Sequence, residues 1–134
     1  MRRTSTAGFT LIELLIVVVI IGLLASVALP RYADAKARSY RAAAMGDLKR
    51  VASAQVAFWD ANRRFGNTTD TLAMGVSISR GVSQLQIVGD TLQWNALVRT
   101  VTGSSCAMKS GPAAPDPAGW SGPSLADGIA ACIE

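Results

Sequence analysis

From Phe9 to Leu29 the chain is apolar apart from Thr10, Glu13, Gly22 and Ser26, and Glu13 is the single charge among those twenty-one residues. At about 1.5 Å of rise per residue such a helix spans roughly 30 Å, the thickness of a bilayer core. After Pro30 the pattern changes. Tyr40, Ala44, Leu48, Val51, Ala54 and Phe58 recur three or four places apart, the stripe of a helix with one buried face. Together the two patterns predict one long helix from Phe9 to about Asn62, with Gly22 and Pro30 as the points where it kinks. From Arg63 to Gly75 the periodicity dissolves, and Gly66-Asn67-Thr68-Thr69-Asp70-Thr71 reads as a loop with one short helical turn near Leu72. Alternation of period two then marks three extended segments, Gln84–Ile87, Leu92–Ala96 and Cys106–Met108, with Gly89-Asp90 as a tight turn between the first two. The segment Gly111–Pro123 holds four of the five prolines and is expected to be loop. The predicted class is α+β. A small antiparallel sheet packs one face on the helix stripe, with Trp94 in the core and Phe58 and Trp59 capping it.

Glu13 is the residue that makes the apolar run unusual. A carboxylate in hydrocarbon costs roughly 2.5 to 3.5 kcal/mol on insertion scales, so an acid kept there is expected to have a partner and a purpose. Arg2 and Arg3 precede the run, which for a membrane helix predicts a cytoplasmic N-terminus. The same residues also fit a secretory signal, with Ser26-Val27-Ala28 as the small-residue site and cleavage after Ala28. Glu13 and the length of the run weigh against that reading, since signal segments carry about 7 to 15 apolar residues. On the residues alone both remain open.

A chain of 134 residues is one domain plus an appendage, and once the apolar run is set aside the core is modest. In an exported chain Cys106 and Cys132 read as one disulfide that removes roughly 3 to 4 kcal/mol of unfolded-state entropy, with two free buried thiols as the alternative. No histidine is present, the carboxylates are scattered, and no nucleophile stands beside a base, so nothing points to an enzyme, a metal site or a cofactor. Asn67-Thr68-Thr69 fits the glycosylation pattern, a match that polar loops give easily. An apolar helix attached to a small head hides from water only in lipid or against copies of itself. Heterologous contacts that do not close build a filament. Gly22, Ala25, Ser26 and Ala28 are small enough for close helix approach.

Gly8-Phe9-Thr10-Leu11-Ile12-Glu13, behind a short basic leader and ahead of an unbroken apolar helix and Pro30, resembles the N-terminus of type IV pilins and of the related pseudopilins of type II secretion. The resemblance is close over residues 8 to 30 and looser beyond. It implies a pilin fold, with the long helix on the antiparallel sheet and a C-terminal loop bounded by Cys106 and Cys132. It also implies a prepilin peptidase that cuts between Gly8 and Phe9 and methylates the new amine. Residues 1–8 would be the leader and 9–30 the membrane and assembly stem. The head would be 31–134, divided into helix 31–62, loop 63–75, sheet about 76–110 and C-terminal loop 111–134. Glu13 would pair with the N-terminal amine of a neighbouring subunit, and desolvation would make that pair worth more as register than as net stability.

The implied product is a homo-oligomeric helical filament for attachment, twitching motility or DNA uptake. It would be built by inner-membrane assembly machinery from a single-pass precursor and displayed at the cell surface. A pseudopilin is the alternative. Major pseudopilins usually lack a C-terminal disulfide and carry acidic calcium-binding loop residues, whereas Asp116 and Asp127 stand isolated here and the cysteines are present. A soluble exported binding module beginning at Leu29 is the second alternative. The formal charge is +4, and +2 without Arg2 and Arg3, too mild to demand nucleic acid. Arg99, Lys109 and Trp120 are the residues that would combine charge with a stacking surface for DNA.

Overall fold

The computed structural model describes residues 8–134, so Met1–Ala7, with Arg2 and Arg3 of the expected leader, lie outside the described residues. The elements in chain order are α1 (Leu11–Asn62), α2 (Thr68–Ala73), β1 (Val82–Gly89), β2 (Trp94–Thr100), β3 (Ser105–Ser110) and β4 (Ala131–Ile133). Two compact units divide between Lys36 and Ala37.

In the first unit α1 begins at Leu11 rather than Phe9 and continues through Gly22 and Pro30. Every large apolar side chain from Phe9 to Leu29 is exposed. Among the described residues nothing in the unit covers them, because a lone helix has no second layer to bury its sides. Among the described residues α1 is the one helix long and apolar enough to cross a membrane.

The second unit is an antiparallel sheet in the order β1-β2-β3-β4, with residues of α1 against one face. Strand alternation sends Trp94, Ala96 and Val98 of β2 toward Ala44, Leu48 and Val51 of the helix, where Val82, Ile87 and Cys106 complete a buried cluster. The intervening Leu97, with Ala107 of β3, turns to the opposite face and packs with Leu125 and Trp120 of the C-terminal segment. The proline-rich stretch therefore serves as the second cover of the sheet.

Three features differ from the sequence reading. The strands extend beyond their alternating centres, except that Leu92 and Gln93, expected in the second segment, lie in the turn before β2, and a fourth strand, β4, lies inside the expected C-terminal loop, where Cys132 faces Cys106. Residues Asp90–Gln93 join β1 to β2, a longer connection than a Gly89-Asp90 turn, closed by the Asp90 N–H donating to the Gln93 carbonyl. Phe65 packs against the main cluster, whereas Phe58 and Trp59 carry the stacked guanidinium groups of Arg64 and Arg63, 4.9 and 5.0 Å from the ring centroids. The short turn expected near Leu72 is α2. Asn67 and Asp70 form its capping box, so the glycosylation-like asparagine is a helix cap.

Two polar residues of α1, Asp47 and Gln55, are fully buried beside the apolar stripe. The Asp47 carboxylate accepts from the Ser79 N–H and hydroxyl and from Arg50. The Gln55 amide both donates to the Gly66 carbonyl at 2.9 Å and accepts its N–H at 2.7 Å, and also donates to Thr71. These bonds fix the connection between α1 and β1 to the helix. At Gly81, with φ +90°, a Cβ would stand 2.2 Å from the Tyr40 ring, so only glycine admits that ring. Gln55→Ala is expected to strand both buried Gly66 backbone groups and to destabilise the unit by about 2 to 4 kcal/mol, read as a lower denaturant midpoint with unchanged slope.

Candidate functional site

At the start of α1, Gly8, Phe9 and Thr10 are exposed and not helical. The Thr10 carbonyl accepts the first intrahelical bond, from the Leu14 N–H at 3.3 Å, which makes Thr10 the N-cap. Its hydroxyl oxygen accepts from the Glu13 N–H at 3.3 Å, and Glu13 Oε2 accepts from the Thr10 N–H at 2.9 Å and from the Thr10 hydroxyl at 2.7 Å. This is a reciprocal capping box, Thr10-Leu11-Ile12-Glu13. Thr10 was not singled out by sequence reasoning, although the Thr-x-x-Glu spacing was there to find it.

The box fixes where the carboxylate stands. Glu13 lies in the first turn of α1, where the helix dipole favours negative charge. Oε2 takes both Thr10 donors, and among the described residues Oε1 has no hydrogen-bond partner. The group can therefore accept from an outside cation without giving up its cap. Phe9 stands one residue before the N-cap, and at Gly8 before it a Cβ would meet no described residue within 4 Å beyond its chain neighbours.

The other expected residues lie in the second unit or within α1. Cys106 and Cys132 form a disulfide between directly opposed residues of β3 and β4, with Cα atoms 4.0 Å apart. Gly22 and Pro30 are within α1. Arg99, Lys109 and Trp120 are each engaged within the fold. Lys109 pairs with Asp116 at 3.0 Å, Arg99 reaches the Gly119 carbonyl at 3.4 Å, and the Trp120 indole donates to the Pro123 carbonyl at 2.9 Å. Asp127 accepts from the Gly111 N–H at 2.9 Å.

The Lys109 ammonium, followed by the Leu125 N–H, holds the Asp116 carboxyl below its ordinary value. Arg64, followed by the Asn67 N–H, does the same for Asp70. A depressed folded value contributes stability that is present above the unfolded aspartate pKa of about 3.9 and is lost as pH falls through the folded value. Acid below about pH 4 is therefore expected to loosen the C-terminal segment and α2. Faster amide exchange at Leu125 and Asp70, ahead of Val98, would show it; simultaneous loss at all three would contradict it.

Residues 3–29 match the family model described as the prokaryotic N-terminal methylation motif. The chain is 40% identical over 74 residues to the type IV major pilin protein PilA of Myxococcus xanthus, an alignment covering 55% of this chain and 33% of that protein. It is 42% identical over 74 residues to a fimbrial protein of Moraxella nonliquefaciens, covering 55% of this chain and 48% of the relative. It is also similar to the type II secretion system core protein G of Pseudomonas aeruginosa, 41% identical over 54 residues that make up 40% of this chain and 38% of that protein. The chain thus spans about a third to a half of the length of these curated relatives.

Proposed function

We propose that this chain is the subunit of a type IV pilus filament, made as a single-pass inner-membrane precursor, cut between Gly8 and Phe9, methylated there and assembled through α1. The observation that carries the reading is the unburied apolar surface from Phe9 to Leu29 beside a carboxylate with one oxygen that has no partner among the described residues. Lipid covers that surface before assembly, and copies of the same helix cover it afterwards. In the filament the Phe9 amine of one subunit meets Glu13 of the next. Two desolvated charges then satisfy each other, and the contact fixes register. The methylation motif over residues 3–29 and the similarity to fimbrial proteins support the same reading. Surface attachment, twitching motility and DNA uptake are the activities such a fibre serves.

The pseudopilin reading draws on the similarity to core protein G. Against it, the carboxylates of the C-terminal segment already have partners, Asp116 with Lys109 and Asp127 with Gly111, and a disulfide ties the segment to the sheet. The test is electron microscopy of cells lacking this chain. The pilus reading expects surface fibres to disappear and to return, carrying a tag on this chain, when it is restored. Unchanged fibres together with a protein-secretion defect would establish the pseudopilin instead.

A further inference from the structure

We infer that Thr10 is a positioning residue for proteolytic processing. Its capping box ends α1 short of the scissile Gly8–Phe9 bond and keeps that peptide out of the helix, where a peptidase can take hold of it. The inference rests on the cleavage site proposed above.

Hydrolysis adds water to the Gly8 carbonyl carbon, breaks its bond to the Phe9 nitrogen, and leaves a carboxyl on Gly8 and a protonated amine on Phe9. The Gly8 carbonyl must be open to attack and its peptide free to fit an extended cleft. In a helix carried two residues further back, the Gly8 carbonyl would accept from the Ile12 N–H and the Phe9 carbonyl from the Glu13 N–H, closing the scissile peptide into the first turn. Thr10 prevents this by supplying its own hydroxyl to the Glu13 N–H, while Glu13 Oε2 takes the Thr10 N–H in return. With those groups satisfied, Gly8 and Phe9 are non-helical and exposed, and beyond the chain neighbours no described residue lies within 4 Å of where a Gly8 Cβ would be. The apolar sequence after Thr10 would otherwise favour extending the helix, because lipid offers no other partner to free backbone groups.

The test uses the full-length precursor in detergent with purified prepilin peptidase, following the masses of leader and mature chain. Thr10→Ala is expected to raise KM about fivefold with kcat unchanged, because the competent state, with the Gly8–Phe9 peptide outside the helix, becomes a minority of the substrate. Thr10→Ser, which keeps the hydroxyl, is expected to restore the wild-type KM. A Thr10→Ala precursor cleaved with wild-type KM, or a Thr10→Ser precursor as poor as alanine, overturns the inference. A mature chain that begins elsewhere than Phe9 overturns the cleavage site on which it rests, and is distinguished by mass alone. Should Thr10→Ala not be recovered, the carbonyl ¹³C shift of Gly8 in the wild-type precursor decides. A non-helical value is expected, and a helical value refutes the proposed role.

Discussion

Glu13→Ala is expected to insert into the membrane at least as well as the wild type and to yield almost no fibres. Insertion improves because the substitution removes a group that costs roughly 2.5 to 3.5 kcal/mol in hydrocarbon. Assembly fails because, in the proposed filament, each subunit contact would then bury a Phe9 amine with no counterion. Removing one partner of a buried pair costs about 3 to 5 kcal/mol, a factor of a hundred or more for each contact. Alanine also removes half of the capping box with Thr10. Glu13→Gln separates the two effects, since glutamine at the third helical position still accepts the cap N–H but carries no charge. Fibre counts and membrane fractionation of both variants are the measurement. Both are expected to be inserted and bald; fibres on Glu13→Gln would mean that the carboxylate serves the helix end and not the neighbour.

Cys132→Ser is expected to be the most destabilising single change in the second unit outside its core. The bridge closes a separation of 26 residues, worth about 3 to 4 kcal/mol on the chain-entropy model. For a unit of about 100 residues that is a fall in Tm of roughly 15 °C. The structure says where the loss falls. β4 has only three residues and pairs only with β3, so without the bridge its end is held by that short ladder, by the partly buried Ala130 and Ala131, and by the ion pair of Arg41 with Glu134. The segment from Gly111 onward, including Leu125 over the outer face of the sheet, is then tethered at one end. Thermal unfolding of the full chain in detergent, followed by the near-ultraviolet signal of buried Trp94, reads the effect. An unchanged Tm would mean that the packing of Leu97, Ala107 and Leu125 alone holds the segment.

The parts of this fold that periodicity controls are legible in the sequence. The stripe through Ala44, Leu48 and Val51 does face the sheet, and Gln84–Ile87 and Trp94–Ala96 fall within the hairpin strands, whereas Leu92 and Gln93, which continue the same alternation, belong to the turn. Asp47 and Gln55 are hidden from such a reading. They occupy the buried side of the helix as polar residues, and what makes them tolerable there is a set of backbone groups 11 and 32 residues away in a loop with no pattern of its own. β4 is equally hidden, since Ala131-Cys132-Ile133 is too short to show alternation and its place is set by Cys106 across the ladder. Phe58 and Trp59 have the right spacing for the core, yet the loop after α1 brings Arg63 and Arg64 onto their rings and Phe65 into the cluster.

At the N-terminus the sequence showed the charge but not its setting. Glu13 stands out in an apolar run, whereas Thr10 is signalled only by its Thr-x-x-Glu spacing, which its bonds to Glu13 confirm as a capping box. The geometry adds that α1 starts after the proposed cleavage bond and that, among the described residues, Glu13 Oε1 accepts no hydrogen bond.

The most direct test of this account is the intact mass of the chain recovered from sheared surface fibres. The account predicts a chain that begins at Phe9, bears one methyl group on its amine and retains the whole of α1. A fibre-borne chain that begins at Leu29, with Glu13 and the apolar segment gone, would contradict it.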